Sequence, residues 1–73
     1  MDILKKRLRD TREDKDLKQK DIADILDITY QQYQLYESGK RKIPVDKFKE
    51  LCDYYNISAD YFLGFTKEQK KIR

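Results

Sequence analysis

Glycine and proline are scarce in this chain, and their scarcity limits what it can fold into more than any other feature. The sequence has 2 Gly and 1 Pro among 73 residues. Loops rely on these residues at their turns, so we expect short connections and helix throughout. A chain of this length forms one small domain, because a second hydrophobic core does not fit.

Apolar residues recur at helical spacing along the chain. Positions i, i+3, i+4 and i+7 of one buried helix face are filled by Phe48, Leu51, Cys52 and Tyr55. With its caps, the pattern predicts an all-α fold of five helices, which span residues 2–15, 19–26, 30–37, 45–55 and 59–63.

Turn and cap residues separate the predicted helices. Thr29 is a good N-cap for the third helix, and Gln32 follows three residues later as its capping-box partner. Gly39 ends the third helix in the left-handed conformation, and Gly64 ends the fifth. Asp16 stands at the first turn, where Asp is among the few residues that tolerate this conformation.

Charge is unevenly distributed along the chain. Residues 40–42 are all basic, and residues 67–73 hold four basic residues against one acidic. Residues 44–64 hold two basic residues against four acidic. This asymmetry suits a polyanion that docks on one face, although a solvated surface of mixed charge explains it equally well.

Several functional classes lack the residues they need. The chain has no His, no metal-ligand spacing and no Gly-rich phosphate loop, and its single Cys52 lies in a helical apolar pattern. We therefore expect no enzyme, no metal and no cofactor. No apolar run approaches the roughly 18–20 residues of a membrane span, and one cysteine cannot form an internal disulfide. We expect a cytoplasmic protein without membrane attachment.

The second and third predicted helices form a helix-turn-helix. Two short helices joined by a three- or four-residue turn have this arrangement, and the second helix can enter the major groove of DNA. Their crossing needs a small residue, which Ala23 supplies. If Ile28 is the buried residue of the turn, Tyr33 and Tyr36 point inward.

The chain from about Leu4 to Gly64 resembles the Cro/C1-type helix-turn-helix family of phage repressors and their bacterial relatives. The resemblance lies in LKQKDIADILDITYQQYQLYESGKRKIP and in FKELCDYYNISADYFLG, which is similar to the family's last two helices. It implies a compact five-helix, lambda-repressor-like DNA-binding domain over residues 1–65. Residues 66–73 would be a polar, basic, frayed tail. The family usually has Gly in place of Asp16, Asp27 and Asn56, and Leu or Ile in place of Thr11, Tyr33 and Tyr36.

The resemblance also implies roles for individual residues. The outward face of the third helix would contact base edges through Tyr30, Gln31, Gln34 and Leu35. Gln pairs well with adenine, and an apolar side chain can contact a thymine methyl. Backbone phosphates would be contacted by Gln19, Thr29, Gln32, Lys40, Arg41 and Lys42. Arg12 and Glu37 match a pair that forms a structural salt bridge in some family members.

The predicted function is sequence-specific binding of double-stranded DNA by a transcriptional regulator, most simply a repressor. Such regulators bind palindromic operators as homodimers. Tyr61, Phe62 and Leu63 are candidates for a dimer contact, with completion of the core as the alternative role for Phe62 and Leu63. The alternative is a protein-interaction module, such as an antitoxin or a regulatory partner-binding domain. Solvent-exposed rings at Tyr33 and Tyr36 would favour that alternative.

Overall fold

Five helices form the fold in a computed structural model that describes residues 2–69. They are α1 (Asp2–Asp14), α2 (Gln19–Leu26), α3 (Tyr30–Ser38), α4 (Val45–Tyr55) and α5 (Ala59–Leu63). Within this range there is no β-strand, and no helix is long and apolar enough to cross a membrane. The predicted all-α fold is confirmed, and each helix ends within one residue of its predicted position.

The inward faces of all five helices form the hydrophobic core. Helix α2 packs against α3 and α4, while α1 packs against α3 and α5. The largest fully buried side chains are Leu8, Ile22, Leu26, Tyr33, Leu51 and Phe62. The small residue predicted for the helix crossing, Ala23, is also buried.

The tyrosines of α3 point into this core. Tyr33 is 0% exposed and Tyr36 is 8% exposed, so their predicted inward direction is confirmed. Without these two rings at the surface, the protein-interaction alternative loses the feature that favoured it.

The turns take up the left-handed conformation at both glycine and non-glycine positions. Gly39 and Gly64 have φ of 82° and 88°, and three non-glycine residues, Asp16, Asp27 and Asn56, each have φ of 57°. A Cβ at Gly64 would also lie 3.1 Å from Cγ2 of Ile3, a tight contact that would require this side chain to shift. Helix α1 therefore packs directly on the turn that ends α5.

Arg7 of α1 connects this helix to α5 and to the segment that follows it. Its Nη1 donates to the carbonyl oxygens of Tyr61 and Thr66, and its guanidinium carbon lies 4.2 Å from the centre of the Tyr61 ring. The amide of Ser58 donates to the carbonyl oxygen of Gln69 at 2.9 Å. Thr66 and Gln69 of the predicted frayed tail thus contact the domain. Residues 70–73 of that tail lie outside the described range.

One candidate for a dimer contact belongs to the core instead. Phe62 is 0% exposed and its ring packs edge-on against Phe48, with ring centres 5.9 Å apart. Phe62 is the only buried residue of the five-residue α5. Tyr61 and Leu63 keep part of their surface exposed.

Candidate nucleic-acid interface

Helix α3 begins with a reciprocal pair of capping hydrogen bonds. Thr29 Oγ1 accepts from the amide of Gln32 at 3.1 Å, and Gln32 Oε1 accepts from the amide of Thr29 at 3.0 Å. Both bonds satisfy backbone groups that the first turn of a helix leaves unpaired. The side-chain oxygen of Gln32 is therefore used by the cap, and the Nε2 of this exposed residue remains as a donor.

Four residues predicted to contact bases share the outward face of α3. Tyr30, Gln31 and Gln34 are exposed and Leu35 is half-buried. A shallow groove is lined by Gln31, Gln34 and Leu35. Gln34 Nε2 donates to the hydroxyl of Tyr30, one helical turn earlier, at 2.9 Å. This face carries hydrogen-bonding groups and one aliphatic side chain, which is the mixture that recognises base edges.

The basic loop, residues 40–42, follows directly after α3. All three of its side chains are exposed. The loop is held to the helix by the amide of Arg41, which donates to the carbonyl oxygen of Leu35 at 3.2 Å. Lys40 lines the same groove as Gln31 and Gln34. Positive charge therefore stands at the border of the hydrogen-bonding surface.

Helix α1 adds basic residues that the sequence prediction missed. Arg9 lines the groove beside Gln34 and Lys40, and Lys5 lies against Gly39 at the end of α3. The sequence did contain a signal, because Lys5, Arg9 and Arg12 lie four and three residues apart on one face of a helix. Since Arg12 was predicted to pair with Glu37 of α3, its neighbours on that face should lie near α3 as well.

A buried carboxylate joins the three helices of the interface. Arg12 Nη2 lies 2.8 Å from Glu37 Oε1, and Arg12 Nε lies 2.9 Å from Oε2, so the pair is bidentate. The Glu37 side chain is only 3% exposed. Gln19 Nε2 donates to Glu37 Oε1 at 3.0 Å, and Arg12 Nη1 donates to the carbonyl oxygen of Leu17 at 2.9 Å. Through these contacts α1, α2 and α3 are fixed in one arrangement.

The charges of this cluster are stabilised in the folded state. Burial acts to raise the pKa of the Glu37 carboxyl, but hydrogen bonds from Arg12 and Gln19 outweigh it and hold the pKa below its ordinary value. The hydrogen bond to Glu37 raises the pKa of Arg12 in turn. Burial, helped by the nearby Glu37 carboxylate, raises the pKa of the Tyr33 hydroxyl. That hydroxyl lies near the carboxylate but has no hydrogen-bond partner within the described structure.

Gln19 lies at the start of α2, where a phosphate contact was predicted. One hydrogen of its amide group is given to Glu37, which leaves its second hydrogen and its oxygen for another partner. Asp21 Oδ2 already accepts from the amide of Lys18 at 2.8 Å. The helix N-terminus is thus partly satisfied by its own carboxylate, and the side chain of Gln19 is the better placed donor.

Metal ligation finds no support in the described part of the chain. No group of three or more His, Cys, Asp or Glu there could hold a metal ion. Cys52 is buried on α4, inside the core. The chemistry of this surface is that of hydrogen bonds and positive charge.

Comparison with known proteins agrees with this arrangement. Residues 8–62 match the family described as Helix-turn-helix. The chain is 36% identical over 62 residues to the uncharacterized HTH-type transcriptional regulator YobD of Bacillus subtilis, a match that covers 85% of this chain and 55% of YobD. It is 35% identical over 68 residues to the HTH-type transcriptional regulator ImmR of the same organism, which covers 93% of this chain and 54% of ImmR.

The residues that match the family lie within the helices described above and the turns between them. The chain spans about half the length of the curated relatives it matches. No solved structure matches the chain significantly. The matched residues run from the core of α1 to α5 and include α2, α3 and the turn between them. The chain therefore belongs to the helix-turn-helix family.

Proposed function

We propose that this chain binds double-stranded DNA sequence-specifically and regulates transcription, as a repressor and without catalysing a reaction. The observation that carries the proposal is the division of α3 into two faces. Tyr33, Tyr36 and Glu37 are buried and anchor the helix, while its opposite face presents exposed amide and hydroxyl groups. The names of the relatives YobD and ImmR, both HTH-type transcriptional regulators, support the same function.

In the proposed complex, α3 lies in the major groove. Gln31 and Gln34 hydrogen-bond to base edges, Tyr30 offers a hydroxyl, and Leu35 contacts a thymine methyl. Each of these side chains has exposed surface on one face of the helix. A helix held by a buried ion pair and two buried tyrosines keeps this face in a fixed orientation, which base recognition requires.

Phosphate contacts in the proposed complex come from the edges of this surface. The basic loop at residues 40–42 and Arg9 supply positive charge, while Gln19, Thr29 and Gln32 donate hydrogen bonds. Phosphate contacts position a protein on the duplex and supply affinity, but they carry little sequence information. The loop therefore determines how tightly the chain binds, and α3 determines where.

Two copies of the chain bind each operator in this proposal. One recognition helix contacts only a few base pairs, and symmetric half-sites lie roughly 34–36 Å apart, one turn of DNA. The domain measures 30 × 23 × 21 Å, so two copies fit side by side on one face of the duplex. Repression then requires only that the protein occupies a promoter. Its proposed location is the cytoplasm.

Selection of bound sites from random DNA tests the proposed function. We expect the selected sequences to share a palindrome whose half-sites are one helical turn apart, because two copies of α3 would contact successive major grooves. Shuffled versions of the selected site serve as the control and should bind more weakly. Recovery of sequences with no common motif would rule out specific recognition.

A salt titration tests the basic loop. Replacing residues 40–42 together with Ala should weaken binding to every DNA sequence alike and reduce the slope of log K against log salt by about 2.7 per copy, since each B-DNA phosphate contact contributes about 0.9. The measurement is fluorescence anisotropy between low and physiological salt. Lys49→Ala is the matched control, because Lys49 is an exposed lysine on α4, away from the groove. An unchanged slope in the loop variant would assign the phosphates to other residues.

A further inference from the structure

The outward side chains of Tyr30 and Gln34 form a hydrogen bond with each other in the absence of DNA. Gln34 Nε2 donates to Tyr30 Oη at 2.9 Å, and the two residues are four positions apart on α3. The Tyr30 side chain is held apart from the core and is 43% exposed. An exposed glutamine is ordinarily free to rotate about three torsions and to exchange the places of its oxygen and nitrogen. Here the hydrogen bond to a stiff aromatic side chain favours one orientation of the amide.

The bond also fixes what Gln34 can offer to DNA. Because the nitrogen faces Tyr30, the oxygen Oε1 is directed away from it and remains an acceptor, with one amide hydrogen left as a donor. Tyr30 keeps its own hydroxyl hydrogen, because it accepts in this bond rather than donating. The pair therefore presents donors and one oriented acceptor, whereas a free glutamine can turn to present either group.

We infer that Tyr30 orients Gln34 so that α3 selects adenine over guanine at one position of the operator, an inference that rests on the proposed function. In the major groove adenine presents an acceptor at N7 and a donor at N6, while guanine presents two acceptors at N7 and O6. An acceptor oxygen held toward the base is satisfied by the N6 amino group of adenine and is opposed by O6 of guanine. At this position Tyr30 is thus a positioning residue, and Gln34 makes the contact with the base.

The inference is tested by measuring the ratio of Kd values for two DNA duplexes. They carry the selected site with adenine or guanine at the position that Gln34→Ala relaxes. We expect the wild-type chain to bind the adenine duplex roughly tenfold or more tightly, since a good bidentate contact discriminates by about this factor or more. Tyr30→Phe keeps the ring and removes the hydroxyl. It should reduce the ratio to within about threefold, because the freed amide can turn to suit guanine.

A double-mutant cycle tests whether Tyr30 affects the choice between adenine and guanine only through Gln34. If Tyr30 acts through Gln34, adding Tyr30→Phe to Gln34→Ala should leave the adenine-to-guanine ratio where Gln34→Ala alone puts it. A further fall in the double variant would show that Tyr30 affects this base pair without Gln34 and would overturn the inference. Tyr54→Phe is the matched control, because Tyr54 is an exposed tyrosine on α4, outside the proposed interface.

The free protein gives a readout that does not depend on DNA. In an NMR spectrum, Tyr30→Phe should shift the side-chain amide signals of Gln34, while Tyr54→Phe should leave them unchanged. Unshifted signals, or a wild-type ratio in Tyr30→Phe, would overturn the inference, as would a wild-type preference for guanine. If the wild-type chain selects no site at all, the proposed function itself fails, and that outcome is distinct from each of these.

Discussion

Replacing Arg12 with Met should cost the domain about 3–5 kcal/mol of folding free energy at neutral pH, because it leaves the Glu37 carboxylate buried without its cation. The carboxylate is 3% exposed and would keep only the hydrogen bond from Gln19. A domain of this size has about 4–11 kcal/mol of stability in total, so the variant should be close to unfolding. Urea denaturation followed by circular dichroism measures the loss. Arg12→Lys should fall in between, because lysine keeps the charge but not the bidentate geometry.

The pH dependence of this variant should be opposite in sign to that of the wild type. In the wild type the folded-state pKa of Glu37 lies below its ordinary value of 4.5. The resulting stability is complete above that value and is lost as the pH falls through the folded-state pKa. In Arg12→Met, burial is left as the main influence and raises the folded-state pKa, so the variant should recover stability relative to the wild type as the pH falls from 7 to 4.

An exposed ion pair provides the control for this experiment. Lys49 Nζ lies 2.9 Å from Asp53 Oδ2 on the surface of α4, where solvent screens the interaction. Lys49→Met should therefore shift the denaturation midpoint far less than Arg12→Met does. Equal shifts from the two substitutions would mean that the Arg12–Glu37 pair behaves like a surface pair, and the account of it as a buried anchor would be wrong.

Truncation of Tyr33 to Ala should have an effect of similar size, about 3–5 kcal/mol, since deleting a buried aromatic ring leaves a cavity. Tyr33 is 0% exposed and belongs to the α3 face that packs into the core. Because α3 carries the proposed base contacts, DNA affinity should fall together with the folded fraction. Thermal denaturation and anisotropy on the same samples would measure the two losses. A stable Tyr33→Ala variant would contradict the anchoring role of the ring.

Tyr33→Phe distinguishes the ring from its hydroxyl. The hydroxyl has no hydrogen-bond partner within the described structure, although it faces the Glu37 carboxylate. Removing an unpartnered buried polar group costs little, so we expect a change within about 1 kcal/mol in either direction. A larger loss would mean that the hydroxyl bonds to Glu37 in solution. The comparison decides whether tyrosine serves here as a large apolar residue in a position where the related family usually has Leu or Ile.

Much of the fold could be predicted because it depends on local spacing. The five helices follow from apolar periodicity and from caps such as Thr29 and Gly39, which act within a few residues of themselves. The inward direction of Tyr33 and Tyr36 follows from the same periodicity once Ile28 is placed in the turn. The exposed face of α3 is then what remains, so Tyr30, Gln31 and Gln34 could be placed on it.

The contacts between distant elements could not be predicted in the same way. That Gln19 would donate to Glu37, and Arg7 to the carbonyl oxygens of Tyr61 and Thr66, depends on how helices far apart in sequence approach each other. Such approaches are decided by side-chain volumes across the whole core and leave no signature in local spacing. The bond between Gln34 and Tyr30 is local, but it depends on rotamers that an exposed helix face does not dictate.

The three left-handed residues Asp16, Asp27 and Asn56 bear on how such a domain can evolve. Each carries a Cβ in a conformation that costs most residues other than Gly about 1–2 kcal/mol, and Asp and Asn less than most. All three lie outside the outward face of α3. Glycine at any of them would relieve that strain without altering a group proposed to contact DNA. Glycine substitutions in these turns could therefore offset a loss of folding stability caused by substitutions in α3. A lineage could alter the proposed base contacts through destabilising substitutions and restore stability at a turn residue that is not one of those contacts.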